Sequence, residues 1–163
     1  MTQSRRTLPG RCLGRDGERT PMQWDAGMHA DFSTVEPWLP LAADFRSENV
    51  ENARRDSTSI YHLYRRLITV RRSRRALKTG SYRPIVAQAG LILFMRESAE
   101  EQILIALNLG PNPASVRFPQ PLRGQVLVSG FADRDGEAIE DGIELRDDEG
   151  LVIDLAHGSL VPA

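Results

Sequence analysis

The sequence predicts a mainly β protein, in which a long loop and one amphipathic helix precede a C-terminal antiparallel β-sandwich. From about residue 82 onward, short apolar runs alternate with turn sequences, which is typical of a sandwich or a small barrel. Ahead of these runs, apolar residues recur at helical spacing. The first part of the chain shows no period, so we expect three regions of different structure.

Residues 1 to about 46 are rich in Pro, Gly and Asp and are predicted to form irregular loop. A structureless stretch of this length is unusual in a compact domain. It indicates either a functional loop or a segment whose packing partners lie elsewhere. Its most polar part is GRDGERTPMQWD, residues 14–25.

Residues 56 to about 79 are predicted to form a helix, with Asp56 or Ser57 as the N-cap. A break is expected near Ser73, and Gly80 is expected to end the helix by taking a positive φ. One buried face follows from the apolar residues at positions i, i+3, i+4, i+7 and i+8, which are Ile60, Leu63, Tyr64, Leu67 and Ile68.

The strands are predicted from short apolar runs that are bounded by turn residues. The expected strands are LILFMR, EQILIALNL, SVRF, QVLVS, IEL and LVIDL. The intervening GPNP, PQP, DRDG, EDG and DDEG are turn sequences. Six short strands at this spacing indicate one compact β domain.

Charge and cysteine content exclude several classes of protein. The net charge of -1 offers no general attraction for nucleic acid or a membrane surface, and no apolar run reaches the roughly 18 residues of a membrane span. The opening MTQSRRTLPG lacks the apolar segment of a secretory signal. The single Cys12 excludes an internal disulfide and fits a reducing compartment, so a cytoplasmic location is expected.

No cofactor and no metal are expected. His29, His62 and His157 lie far apart in the sequence and, with Cys12 alone, show no metal-ligand spacing. Several acidic pairs fall in predicted turns, where solvated side chains with unraised pKa values are expected. These are Asp133 and Asp135, Glu140 and Asp141, and Asp147 to Glu149. No catalytic residue is predicted among them.

The stretch from Arg65 to Lys78 is strongly basic, which raises the alternative of phosphate binding. Cations late in a helix also complement the negative end of the helix dipole. The same helix has a well-defined apolar stripe, and no aromatic residues interleave with the basic ones in the way that nucleic-acid platforms require. No nucleic-acid partner and no membrane partner are therefore expected.

Four segments in order carry a resemblance to a known family. GRDGERTPMQWD is followed by PWLP at residues 37–40, NVE at residues 49–51 and the helix SIYHLYRRLITVRR. Together they resemble the C-terminal part of the α-glucosidases and oligo-1,6-glucosidases of glycoside hydrolase family 13, in the α-amylase superfamily. The resemblance covers residues 8 to about 155.

The resemblance implies a (β/α)8 barrel followed by a β-sandwich. Residues 14–46 then correspond to the loop after the eighth barrel strand, and residues 56–79 to the last barrel helix. On this reading, residues 1–80 are a remnant of a catalytic barrel that is otherwise missing, and residues 81–163 are the C-terminal β-sandwich domain.

The resemblance also implies roles for loop residues. Arg19 resembles a contact to the sugar at the non-reducing end, because the guanidinium fork can hold adjacent hydroxyl groups; a structural salt bridge is the alternative. Arg15 and Asp16 are expected to brace the loop through an ion pair, and Trp24 is expected to pack below it. Asp31 stands where the family often has glycine, although aspartate tolerates left-handed backbone.

The expected activity is release of terminal glucose from α-linked oligosaccharides, and oligosaccharide is the expected ligand only within a full enzyme. Retaining hydrolysis needs two carboxyl groups roughly 5–5.5 Å apart, which the family carries on earlier barrel strands, so the chain alone is expected to be inactive. The alternatives are an accessory carbohydrate-binding module and a chain that completes a separate barrel-bearing chain. Relatives that act as trehalose synthase, sucrose isomerase or trehalose-6-phosphate hydrolase share this region.

Overall fold

The computed structural model describes residues 19–156. The chain divides into two compact units, one ending at His62 and the other beginning at Leu63. The division predicted after residue 80 is a different kind of boundary, based on family resemblance, and it stays a prediction.

The first unit contains more regular structure than the sequence predicted. A short 3-10 turn spans Met28–Asp31, and a helix, α1, spans Val50–Arg55. The α1 helix begins where the side chain of Asn49 accepts a hydrogen bond from the Asn52 N–H at 2.9 Å, which satisfies one of the free donors of the first turn. An asparagine cap before a six-residue helix gives too weak a periodic signal to identify in advance.

The predicted helix is present but shorter at its N-terminal end. Helix α2 spans Ile60–Ser73 and helix α3 spans Arg75–Thr79, so the break expected near Ser73 is confirmed. The prediction of Asp56 or Ser57 as the N-cap is wrong, because α2 begins at Ile60. Asp56 instead follows α1 directly. Its backbone N–H closes α1, and its carboxylate accepts hydrogen bonds from the N–H and hydroxyl of Thr58. Asp56 therefore holds the turn between two helices.

Gly80 ends α3, but not for the predicted reason. Its φ is -67°, which any residue can adopt. A Cβ atom at this position would lie 2.4 Å from the carbonyl oxygen of Ala76 and 2.6 Å from that of Glu97. Glycine is required because a side chain would meet both the last turn of α3 and the backbone of β2. The second of these contacts is tertiary and could not be seen in the local sequence.

Two antiparallel sheets make up the β region, as predicted. The strands are β1 Ser81–Gln88, β2 Leu91–Glu97, β3 Gln102–Asn108, β4 Ala114–Arg117, β5 Arg123–Ser129, β6 Ala138–Glu140, β7 Gly142–Leu145 and β8 Gly150–Leu155. Six of them form one sheet in the order β1-β2-β3-β8-β5-β6, and β4 pairs with β7 in a second sheet.

The main core lies between these two sheets. Leu93, Leu104 and Ile153 of the large sheet pack in one cluster with Ile143 and Leu145 of β7. Side chains alternate between the faces of a strand, so the neighbouring residues of β3 point the other way. On that opposite face, helix α3 covers part of the sheet. Ala76 of α3 forms a second buried cluster there with Ile103 and Ile105 of β3.

The sequence did not indicate strands β1 and β6. Strand β1 contains Pro84, which lacks a backbone donor and normally argues against a strand. The strand lies at the sheet edge and has an irregular register between Pro84 and Val86, where a missing donor is tolerated. Strand β6 has three residues and, within residues 19–156, pairs with β5 alone, so its existence depends on the partner strand.

Candidate functional site

The RTPMQW element, residues 19–24, opens the described part of the chain. Arg19 and Thr20 are exposed, whereas Pro21 is buried. The guanidinium of Arg19 is therefore accessible to a ligand. Arg15 and Asp16 lie outside the described residues, so their predicted ion pair stays a prediction.

Helix α1 fixes the backbone at the end of this element. The Val50 N–H donates to the carbonyl of Gln23 at 2.9 Å, and the Glu51 N–H donates to the carbonyl of Trp24 at 3.0 Å. The first N–H groups of a helix have no partner within the helix. Here they bind the loop instead, so the short helix acts as a clamp on the polar loop.

The loop then turns through three consecutive residues with left-handed backbone. The φ values are 55° at His29, 54° at Ala30 and 52° at Asp31. The carbonyl of Ala30 accepts hydrogen bonds from the N–H groups of Trp24 at 3.0 Å and Asp25 at 3.4 Å. These bonds hold a conformation that L-residues avoid. The positive φ of Asp31 suits glycine, which the resemblance gives as the usual residue at this position.

An open hollow of about 710 Å³ lies beside this turn. It combines one aromatic ring with acidic and basic groups, and its lining residues are Trp24, Asp25, Asp31, Val50, Glu51, Arg54 and Arg55. Arg19 is not among them. The structure thus places an aromatic face and charged groups side by side, separate from the arginine that the sequence singled out.

Trp24 does not pack in a core as expected. Its exposed fraction is 48%, and the ring borders the hollow. The expectation treated the tryptophan as a framework residue. Within the described chain, its backbone has the structural role through the bonds with Ala30 and Glu51, and this leaves the ring accessible.

Glu149 is buried, which corrects the expectation of a solvated turn. Its Oε1 accepts from Nη2 of Arg146 at 2.6 Å. Its Oε2 accepts from Nη1 of Arg134 at 3.0 Å and from the Arg146 N–H at 2.9 Å. Burial acts to raise the pKa of Glu149, but the hydrogen bonds from Arg146 and the charges of both arginines outweigh it, so the pKa is lowered.

Asp133 belongs to the same ionic cluster. Both of its carboxylate oxygens accept hydrogen bonds from Arg146, at 2.6 and 2.8 Å, and this pairing lowers the pKa of Asp133 to about 2. A general acid needs a pKa near the working pH. Asp133 and Glu149 are instead held in the charged form. The expectation that these acids are not catalytic groups stays a prediction.

The basic helix directs several of its cations to partners within the molecule. Arg66 pairs with Asp135 and donates to the carbonyl of Ser129. Arg74 donates to Asp154 at 2.8 Å. Part of the positive charge therefore connects the helices to the β region, which fits a structural role for the basic residues.

Among residues 19–156, no group of three or more His, Cys, Asp and Glu side chains is placed to hold a metal ion. No helix in that part of the chain combines the length and apolar character of a membrane span.

Known proteins match both parts of the chain. The family model described as the α-amylase catalytic domain matches residues 2–80. A probable oligo-1,6-glucosidase 3 of Bacillus subtilis is 38% identical over 117 residues, which are 71% of this chain and 21% of that protein. The oligo-1,6-glucosidase of Bacillus cereus is 30% identical over 146 residues, which are 87% of this chain and 26% of the relative.

The three-dimensional structure of the chain is also similar to that of a known protein. The trehalulose synthase MutB of Pseudomonas mesoacidophila MX-45 superposes with a TM-score of 0.79 at 30% identity, over 87% of this chain and 26% of that protein. The chain thus spans about a quarter of the length of these relatives. The similarity continues from the loop through the β region, because it covers more than residues 2–80 alone.

Proposed function

Because the chain belongs to the α-amylase family, glycoside hydrolase family 13, we propose that it supplies the final part of an α-glucosidase. The polar loop and helix α2 complete the catalytic domain, and the two β-sheets form the C-terminal domain. The activity is release of glucose from the ends of α-linked oligosaccharides. Relatives named oligo-1,6-glucosidase support this choice.

One observation carries the proposal: the catalytic-domain model matches the segment that contains the RTPMQW element. The backbone of that element is clamped by α1, whereas the side chain of Arg19 is exposed. A fixed backbone that presents an accessible arginine is suited to ligand contact. The same match favours the enzyme over an accessory carbohydrate-binding module, which would need no catalytic-domain segment.

We propose that Arg19 donates hydrogen bonds to adjacent hydroxyl groups of the terminal glucose. A guanidinium is always charged and presents its donors in a rigid plane, so it can fix the orientation of a sugar ring. Oligosaccharide is then a ligand of the complete catalytic domain, with Arg19 at the edge of its binding pocket.

A polypeptide of these 163 residues alone is expected not to hydrolyse α-glucosides. The resemblance assigns the catalytic carboxyl groups to a part of the relatives that lies outside this sequence. The test is a chromogenic α-glucoside assay on the purified polypeptide. Turnover that follows the protein through every purification step and is lost on heating would contradict the proposal.

A chimera tests the active role of the loop. The part of the B. subtilis relative that precedes its matched region is joined to this chain, and kcat/KM is measured with isomaltose. We expect activity, and we expect Arg19→Ala to lower kcat/KM by roughly 10- to 100-fold, since one charge-assisted hydrogen bond contributes about 1.5–3 kcal/mol.

The matched control is Arg46→Ala, which removes another exposed arginine of the same loop and should leave kcat/KM within about twofold. A folded chimera without activity would contradict the glucosidase assignment. An active chimera in which Arg19→Ala behaves like Arg46→Ala would contradict the contact between Arg19 and the sugar, but not the glucosidase assignment.

A further inference from the structure

The hollow beside the left-handed turn is lined mainly by charged side chains. Its volume of about 710 Å³ lies within the roughly 300–1,000 Å³ that is usual for small-ligand sites. Five of its seven described lining residues are charged, and the other two are Trp24 and Val50. The centre of a protein–protein interface is depleted of charged residues, so this lining suits a polar small molecule better than a protein surface.

Trp24 supplies the aromatic face of the described lining. Its backbone is held on both sides, because its N–H donates to the carbonyl of Ala30 at 3.0 Å and its carbonyl accepts from the Glu51 N–H at 3.0 Å. A fixed backbone reduces the ordering that a ligand has to impose. The face of an aromatic ring is electronegative, so it attracts the C–H groups that a pyranose ring presents on one face.

The carboxylates of the hollow have acceptor sites beyond their bonds within the chain. Oδ1 of Asp25 accepts from the Gly27 N–H at 2.8 Å, and Oε1 of Glu51 accepts from Nη2 of Arg55 at 2.5 Å. An ionised carboxylate offers about four lone-pair sites on its two oxygens, so both groups can accept bonds from hydroxyls of a ligand. The side chain of Arg55 is 69% exposed, so it can donate to ring or hydroxyl oxygens from the same side.

The net charge of the lining favours a neutral ligand. Three carboxylates lie beside two guanidinium groups, and the residues are Asp25, Asp31, Glu51, Arg54 and Arg55. The excess of one negative charge gives no attraction for phosphate or another anion. The carboxylates do not form a metal site either, since no such group of ligands is present in the described part of the chain. A neutral ring with several hydroxyl groups meets both restrictions.

We propose that the hollow binds a glucose unit of an α-linked oligosaccharide, which stacks on Trp24 and donates hydroxyl hydrogen bonds to Asp25 and Glu51. This inference rests on the proposed function for its class of ligand, because the relatives are named oligo-1,6-glucosidase. Arg19 does not line the hollow. The glucose unit on Trp24 is therefore a second one, in addition to the unit assigned to Arg19.

Titration of the 163-residue polypeptide with isomaltotriose tests the site. The indole N–H groups of Trp24 and Trp38 give two signals in a proton–nitrogen correlation spectrum, and Trp38→Phe assigns them. We expect the Trp24 signal to shift and to saturate with a Kd of about 1 mM, the scale of one stacked ring with exposed hydrogen bonds. Trp38 is 82% exposed and is not a described lining residue of the hollow, so its signal is the internal control and should stay unchanged.

Glu51→Ala should raise the Kd by about three- to tenfold, because it removes an acceptor for the sugar hydroxyls. The matched control is Glu48→Ala, which removes an exposed glutamate that does not line the hollow and should change the Kd by less than about 1.5-fold. Sorbitol has hydroxyl groups but no ring that can stack on the indole, so it should cause no saturating shift.

Signals of Trp24 and Trp38 that move together without saturation would overturn the inference, as would a sorbitol response equal to that of isomaltotriose. The readout is binding to a polypeptide that is expected to be inactive, so it does not depend on turnover. Saturable binding at Trp24 together with a folded but inactive chimera would contradict the glucosidase assignment alone. An active chimera together with an unresponsive Trp24 signal would contradict this saccharide site alone.

Discussion

At the scale of single residues, Glu149 shows how far a local pattern can mislead. The sequence DDEG is typical of a solvated turn. In the structure, the Glu149 side chain has no exposed surface and lies against Arg134 and Arg146. Arg146 lies only three residues before Glu149, but Arg134 belongs to a segment before strand β7, so no local window of the sequence could have placed both arginines around the carboxylate.

We expect Glu149→Gln to destabilise the fold by about 3 kcal/mol, because the substitution leaves two arginines beside a buried neutral group. The value is at the lower end for a buried pair, since Arg146 is 43% exposed and can still reach water. The free energy of unfolding in urea measures the effect.

The control for this substitution is Glu144→Gln. Glu144 is 65% exposed and pairs with an arginine that is 72% exposed, so its loss should cost no more than about 1 kcal/mol. Equal costs for the two substitutions would show that Glu149 behaves as a surface residue.

At the scale of elements, the left-handed turn at residues 29–31 connects backbone strain with the candidate site. Three non-glycine residues share positive φ, and the turn is held by bonds between Ala30 and the end of the RTPMQW element. The family resemblance identified position 31 as a place where glycine is usual. The backbone conformation supplies the physical reason, since glycine adopts positive φ without a steric cost.

Asp31→Gly should therefore stabilise the turn by about 0.5 kcal/mol, and Asp31→Val should destabilise it by about 1–2 kcal/mol. Hydrogen exchange of the Trp24 amide, which donates to Ala30, reports the turn directly. As a control, the same two changes at Glu36, which lacks positive φ, should not favour glycine. If Gly protected the Trp24 amide better than Val to the same degree at both positions, the positive φ of Asp31 would not be the cause.

The ionic cluster joins two loops of the β region, because Arg146 pairs with both Asp133 and Glu149. The folded-state pKa values of Asp133 and Glu149 are lowered, so the folded protein binds fewer protons than the unfolded chain in acid. The stability contributed by these groups is present above their unfolded pKa values, near pH 4, and is lost as pH falls toward the folded value of about 2 for Asp133.

We expect the free energy of unfolding to fall steadily between about pH 4 and pH 2, and Asp133→Asn to reduce that slope. Urea titrations at several pH values in this window measure both proteins. Parallel curves for the parent and the variant would mean that the Arg146 pairing does not persist in solution.

At the scale of the whole molecule, the N-terminal limit of the β domain depends on contacts between residues that are far apart in the sequence. Helix α3 precedes the predicted boundary at residue 80, yet Ala76 is buried against Ile103 and Ile105, and Leu77 packs beside them. The Ala76 N–H also donates to Glu101 at 2.8 Å. Helix α3 therefore contributes to the stability of the sheet on its second face.

A polypeptide of residues 74–156 should fold cooperatively, and one of residues 81–156 should be less stable by about 2 kcal/mol, the scale of burying one large apolar side chain. Urea unfolding of the two polypeptides, followed by circular dichroism, compares them. Equal stability of the two polypeptides would show that α3 does not stabilise the sheet and that the β domain begins after residue 80.

The sequence by itself determined the family, the order of loop, helix and strands, and most strand positions, because motif order and local periodicity depend on neighbouring residues. Only the tertiary structure decided the sheet order, the edge position that admits Pro84, the steric need for Gly80 and the burial of Glu149. Each of these depends on a backbone or charge contributed by a distant part of the chain. The face of α2 that the sequence predicted to be buried is instead exposed at Ile60, Tyr64 and Ile68, because a periodic pattern identifies an apolar face and only the packed fold shows whether other residues cover it.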